Sequence, residues 1–168
     1  IKADALVLES TYGGKLHANR LAEEKRLIDS LRRIAERGGK ALIPAFALER
    51  TQELLYELNH LVEHNHIPRL PIFLDSPLAI KATEVFRRYE QYYNRKAACI
   101  VDCGDDFFSF PGLQVTRTRE ESKRINDAPQ PKIIIAGSGM MNGGRILHHL
   151  KRVLPDNNDD GLRHFKPR

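Results

Sequence analysis

Four short apolar runs punctuate the chain: "ALVLE" at 5–9, "KALIPAF" at 40–46, "LPIFLD" at 70–75 and "KIIIAG" at 132–137. Each is rich in Val, Ile, Leu or Ala and ends in small or polar residues. Unbroken apolar runs of this length describe strands covered on both faces, as in a parallel sheet. A weaker run, "LQVTRT" at 113–118, predicts a fifth strand. Between the runs the period changes to that of a helix. In 18–37, Leu21, Leu27, Ile28, Leu31 and Ile34 share one face, and the glycines of "RGGK" end the pattern. In 47–64, Leu48, Leu54, Leu55, Leu58 and Leu61 do the same. A third helix is predicted from Pro77 to about Tyr93, with Ser76 as N-cap and proline in the first helical position, carrying Ile80, Val85 and Phe86. Shorter helices are predicted at 119–126 and 143–153.

Strands alternating with helices imply right-handed crossovers. The predicted fold is therefore α/β: three layers, with a mainly parallel, doubly wound (Rossmann-like) sheet and helices on both faces. Ligands of such sheets lie beyond the carboxyl ends of the strands. That singles out "ESTYGG", "AFALER", "DSP" and "GSGMMNGGR". The tail "PDNNDDGLRHFKPR" has no periodicity and is expected to be poorly ordered.

Composition narrows the classes. The 168 residues, 41% hydrophobic and 29% charged, suit one soluble globular domain. No apolar run approaches the roughly 18–20 residues of a membrane helix, and the first residues lack the charged and apolar regions of a signal peptide. A net charge of +5 leans towards a polyanionic partner, although the charge is spread along the chain. Cys99 and Cys103 in "CIVDC" are too few for a disulfide framework and have no second Cys/His pair at zinc-finger spacing. They are expected as reduced, partly buried thiols of a cytoplasmic protein.

Candidate chemistry follows from the strand ends. In "AGSGMMNGGR", the amides around Gly137, Ser138 and Gly139 can form a nest for a phosphate oxygen, and Arg145 is placed for a bidentate contact. An ordinary βα turn explains the same residues, and neither the dinucleotide nor the Walker pattern is present. Arg50 stands in the first turn of the second helix, where the dipole disfavours a cation; a bound anion accounts for it, as does a pair with Glu49 or Glu53. Glu9 ends the first run and can orient a histidine or cap a turn with Ser10 and Thr11; His17 can touch a ligand or fix the turn. His60, His64 and His66 include an i,i+4 pair but no HExxH arrangement, which favours a solvated helix end. His148 and His149 read as one boundary and one exposed histidine, and no metal site is predicted.

Taken together, "ESTYGG…H", "ALIPAFALERTQELLYEL", "PIFLDSPLA" and "IIIAGSGMMNGGRILHHL" resemble the β-CASP family of metallo-β-lactamase-fold RNA-processing nucleases over roughly residues 4–154. The resemblance implies a cap domain inserted in a core that carries two zinc ions, with the active site in the cleft between them. It puts Glu9 at the acidic position of the first motif, near histidines that the chain lacks. It puts Arg50, Gly137, Ser138, Gly139 and Arg145 on RNA phosphates, and Asp75 and Ser76 in a third motif. Glu49 stands where many relatives have glycine, and its carboxylate weakens anion binding by Arg50 unless it points away.

The HxHxDH zinc motif is absent. The expectation is an isolated cap domain at 13–154, with a junction segment at 1–12 and a tail at 155–168. It holds no cofactor of its own, with two zinc ions expected in the full-length protein. Its partners are then single-stranded RNA, held weakly, and the missing core in cis, with self-association through the exposed seam and no membrane. The chain alone is expected not to cleave RNA. The alternative is a stand-alone nucleotide-binding or protein-interaction module of the same fold.

Overall fold

The computed structural model describes residues 4–8, 10, 13–14 and 19–154. The chain runs α1 (Arg20–Glu36), β1 (Lys40–Pro44), α2 (Arg50–Glu63), β2 (Ile72–Asp75), α3 (Pro77–Arg88), a 3-10 turn (Glu90–Tyr92), α4 (Arg95–Asp102), β3 (Leu113–Val115), α5 (Arg119–Arg124), β4 (Lys132–Ala136) and α6 (Ile146–Val153). The strands form one parallel sheet in the order β1-β4-β2-β3. The last two crossovers run in opposite senses: β3 extends the sheet beyond β2, and the chain then returns to insert β4 between β1 and β2.

The two sides of the sheet follow from strand periodicity. Ala41, Ile43, Ile72, Leu74, Ile133 and Ile135 face one layer, where they meet Leu31 and Ile34 of α1, Leu54, Leu55, Leu58 and Leu61 of α2, and Ile80 of α3. Phe107, Phe108 and Phe110 complete that core from the stretch before β3. Leu42, Phe73, Ile134 and Ala136 face the other layer, with Ile125, Ile146 and Val153. Each fully buried aliphatic chain stabilises the fold by about 1.5–3 kcal/mol relative to exposure. Lys132 is buried at the start of β4, where its ammonium donates to the carbonyls of Ile125, Asn126 and Ala128 at the end of α5. It ties that short helix to the sheet.

The doubly wound α/β prediction holds. Ser76 caps α3, with Pro77 in the first helical position, and accepts from the Ala79 amide. Several expectations need correction. Residues 5–8 adopt no strand, and Leu6, Val7 and Leu8 are exposed, Val7 at 96%. Among the described residues this run has no strand to pair with, and an isolated extended segment gains nothing from a ladder. Leu21 and Leu48 are exposed rather than on a buried face. Leu21 sits in the first turn of α1, and α2 begins only at Arg50, which leaves Leu48 in the preceding turn. Val85 is half exposed near the end of α3. Cys99 and Cys103 are exposed, because α4 turns Ala97, Ile100 and Val101 inward instead. Glu9, His17 and the tail at 155–168 lie outside the described residues.

Candidate functional site

β2 ends in Asp75, a carboxylate with no solvent exposure. Four donors converge on it. Oδ1 accepts from Thr116 Oγ1 at 2.5 Å and Arg145 Nη1 at 2.6 Å. Oδ2 accepts from Ser122 Oγ at 2.7 Å and His149 Nε2 at 2.7 Å. A carboxylate offers about four lone-pair sites, and all are filled. Burial alone would raise the Asp75 pKa, but the hydrogen bonds from His149, Thr116, Ser122 and Arg145 outweigh it and hold the group at about 2. It is an anion at any working pH.

Arg145 is clamped further by two carbonyls, with Nη1 donating to Thr116 O at 3.0 Å and Nη2 to Arg117 O at 3.1 Å. Its guanidinium therefore joins the segment after β3 to the loop after β4. The loop 137–145 turns back on itself above this clamp. Ile146 N donates to Gly137 O, Ser138 N to Gly143 O, and Ser138 Oγ to Asn142 Oδ1. Gly144 has φ +74, and a Cβ there would lie 2.6 Å from Gly137 O, so the closure requires glycine. Gly139 lies against the Phe46 ring, where a Cβ would come within 2.8 Å. The loop is thus packed on the β1 strand end. The amides of Gly139, Met140 and Gly143 have no acceptor among the described residues.

The β1–α2 corner completes the strand-end surface. Thr51 Oγ1 donates to Phe46 O at 2.6 Å, and Arg50 N donates to Leu48 O at 2.8 Å. The second bond closes a γ-turn with Glu49 at φ 64°, ψ −65°, a strained conformation for a residue with a Cβ. Arg50 opens α2, remains 39% exposed, and pairs with Glu53 Oε2 at 2.9 Å. Phe46, Leu48, Leu78, Met140 and Met141 are exposed around these loops.

Comparison with known proteins shows the family of the chain. Residues 51–160 match the family described as the Beta-Casp domain. The chain belongs to the Beta-Casp domain family. It is 41% identical over 155 residues to Ribonuclease TTHA0252 of Thermus thermophilus, covering 92% of this chain and 35% of that protein. It is 36% identical over 159 residues to transcription termination factor FttA of Pyrococcus horikoshii, at 92% and 24% coverage. It is 35% identical over 157 residues to cleavage and polyadenylation specificity factor subunit 3 of Dictyostelium discoideum, at 93% and 20%. The chain thus spans about a third or less of these relatives' lengths.

Within this Beta-Casp domain the structure brings Asp75 and Arg145 together; Gly137 lies beside Ser76, Ser138 is held by Asn142 and Gly143, and Gly139 packs on Phe46. Arg50 stands apart at the next strand end. The hub residues Thr116, Ser122 and His149 were not anticipated from the sequence. His149 is buried on Asp75, which corrects its reading as a boundary or exposed residue; its ring is drawn in because it follows Arg145 by four residues, on the same helical face. That spacing was the signal available. The rings of His60, His64 and His66 gather at the end of α2, with centroids 4.1 to 6.1 Å apart. No group of three or more His, Cys, Asp or Glu among the described residues could hold a metal ion. Among the same residues, no helix is long and apolar enough to cross a membrane.

Proposed function

We propose that this Beta-Casp domain holds the backbone phosphates of single-stranded RNA at the carboxyl ends of its strands, as the cap of a ribonuclease. The observation that carries the reading is the loop 137–145. It is fixed from below by the Asp75–Arg145 clamp and presents the uncommitted amides of Gly139, Met140 and Gly143. Such amides suit a phosphate oxygen. Arg50, on the neighbouring strand end, supplies a partly exposed cation. A phosphate that displaced Glu53 from it would gain a charge-assisted contact. Arg145 then serves RNA by holding the loop in shape. Backbone contacts of this kind position the strand without reading its bases.

Hydrolysis is assigned to a metallo-β-lactamase domain in cis. Two zinc ions there would activate water, with Glu9 acting near that domain's histidines. The described donors of this chain do not fit a zinc pair: Asp75 and His149 bind each other, and no other cluster qualifies. No hydrolytic step is therefore derived for this chain. The exposed run Leu6–Val7–Leu8 offers that domain an apolar surface to cover, and weak self-association is expected where it is uncovered. A cytoplasmic setting is consistent with the free thiols Cys99 and Cys103.

The test is titration of a 5′-labelled single-stranded RNA at two salt concentrations. Arg50→Ala should weaken binding alike for all sequences and reduce the salt slope by about 0.7, the contribution of one phosphate contact on a single strand. Unchanged affinity and slope would remove Arg50 from the interface.

A further inference from the structure

We propose that the corner between α3 and α4 is a second contact surface for single-stranded RNA, remote from the strand-end loops. The inference extends the RNA reading above, because it takes the same ligand, but it rests on different residues. Residues 87–96 read "RRYEQYYNRK", with four cations, three tyrosines and one carboxylate. The structure sorts them into supports and contacts.

The supports tie the corner to its neighbours. Tyr93 donates its hydroxyl to Phe86 O at 3.1 Å, and its ring lies 5.5 Å from that of Phe107. Arg87 pairs with Asp106 at 2.8 Å. The 3-10 turn is closed by Tyr92 N to Tyr89 O and Tyr93 N to Glu90 O, and Asn94 caps α4. On this braced corner Tyr89 is 52% and Tyr92 80% exposed, with ring centroids 6.2 Å apart. Arg88, Arg95 and Lys96 are exposed and make no ion pair with any described residue.

Exposed rings on a fixed turn, flanked by unpaired cations, are the two ingredients of sequence-tolerant single-strand binding: faces for bases to stack on and charge for the backbone. Tyrosine and arginine also suit protein interfaces, but a protein would have to set a carboxylate opposite each of the three cations, whereas an RNA backbone supplies a phosphate at every nucleotide. The twelve residues of α3 span about 18 Å and run back from the strand ends. The corner therefore lies towards the opposite end of the sheet, where a strand leaving the cleft can be held again.

The experiment measures binding of this chain to a 25-nucleotide unstructured RNA by fluorescence anisotropy at low and moderate salt. Two corner variants, Tyr89→Ala with Tyr92→Ala, and Arg88→Gln with Arg95→Gln and Lys96→Gln, are compared with Arg50→Ala. Removing the tyrosine rings should weaken binding about tenfold or more, and Tyr89→Phe with Tyr92→Phe should restore most of it. Removing the three charges should lower the salt slope by about 2. Circular dichroism checks that each variant is folded, and the charge variant, whose three side chains are exposed, gives a readout independent of the rings. Affinity and slope unchanged in both corner variants would overturn the proposal and leave the face to a protein partner. If Arg50→Ala alone weakens binding, the strand-end reading stands and the corner falls. If the corner variants alone weaken it, the corner stands and Arg50 is removed from the strand-end interface.

Discussion

Arg145 and Arg50 occupy matching places in the chain, each just beyond a parallel strand and at the start of the helix that follows. Their surroundings have little else in common. Arg145 reaches across to a buried carboxylate and two carbonyls, so its charge is spent on holding three segments together. Arg50 stays near the surface with a single exchangeable partner one turn along its own helix. Position in a strand–turn–helix unit therefore does not decide what an arginine does. The decision lies with what a distant segment offers it. Asp75 comes from 70 residues away in sequence.

The contrast is broken most directly at Asp75. Asp75→Ala leaves the Arg145 guanidinium facing an empty anion site and His149 and Ser122 without their acceptor, while Thr116 keeps only the Leu74 carbonyl at 3.3 Å. Removing one partner of a buried ionic cluster costs about 3–5 kcal/mol. Urea unfolding should show a loss in that range; less than about 1 kcal/mol would mean that the hub is not structural. Arg145→Ala should follow at about 2–3 kcal/mol, the scale of a charge-assisted bond together with its unpaired acceptor. Lysine should not rescue it, because an ammonium cannot span Asp75 and two carbonyls in the same fork. Arg50→Ala should change stability by less than about 0.5 kcal/mol, since exposed pairs contribute little. Equal losses at the two arginines would erase the distinction.

Acid sharpens the same comparison. Asp75 is held at about 2, below its ordinary value of 3.8. A depressed carboxylate pKa contributes stability that is fully present above the unfolded value and is lost as pH falls through the folded one. The shift corresponds to about 2 kcal/mol, present above pH ~4 and lost between roughly pH 4 and 2. Asp75→Asn removes this component, so the stability gap between native protein and variant should narrow over that window. A gap that stays constant from pH 5 to 2 would contradict the assignment.

What the sequence reveals divides along the same line. Local signals were legible: the apolar period marked β1, β2 and β4, and Ser76-Pro77 marked the start of α3. The hub was not. Thr116 and Ser122 carry no pattern of their own, and only a sheet that sets β3 beside β2 brings them to Asp75. α4 is not announced because it is eight residues long and its five apolar residues run consecutively from Ala97 to Val101, with no helical period; its one clear marker is the cap at Asn94. The run at 5–9 misled for the opposite reason, since an apolar pattern states what a segment can bury but not whether a partner strand is present. Phe107, Phe108 and Phe110 fill the main core from an irregular stretch in which no period announces them.

A modest gain in stability isolates the corner that holds Arg50. Glu49 sits at φ 64° in the γ-turn that starts α2. A side chain there costs about 1–3 kcal/mol of backbone strain. Glycine would relieve it while losing about 0.5–1 kcal/mol to its freer unfolded chain. Glu49→Gly should therefore stabilise the domain by about 0.5–1 kcal/mol, measured by urea unfolding. It also removes a carboxylate next to Arg50 and should tighten RNA binding slightly at low salt. Glu49→Ala separates the two causes: it removes the same charge but keeps a Cβ at positive φ, so it should share the gain in binding without the gain in stability. If alanine stabilises as much as glycine, the charge and not the backbone is the source of the strain.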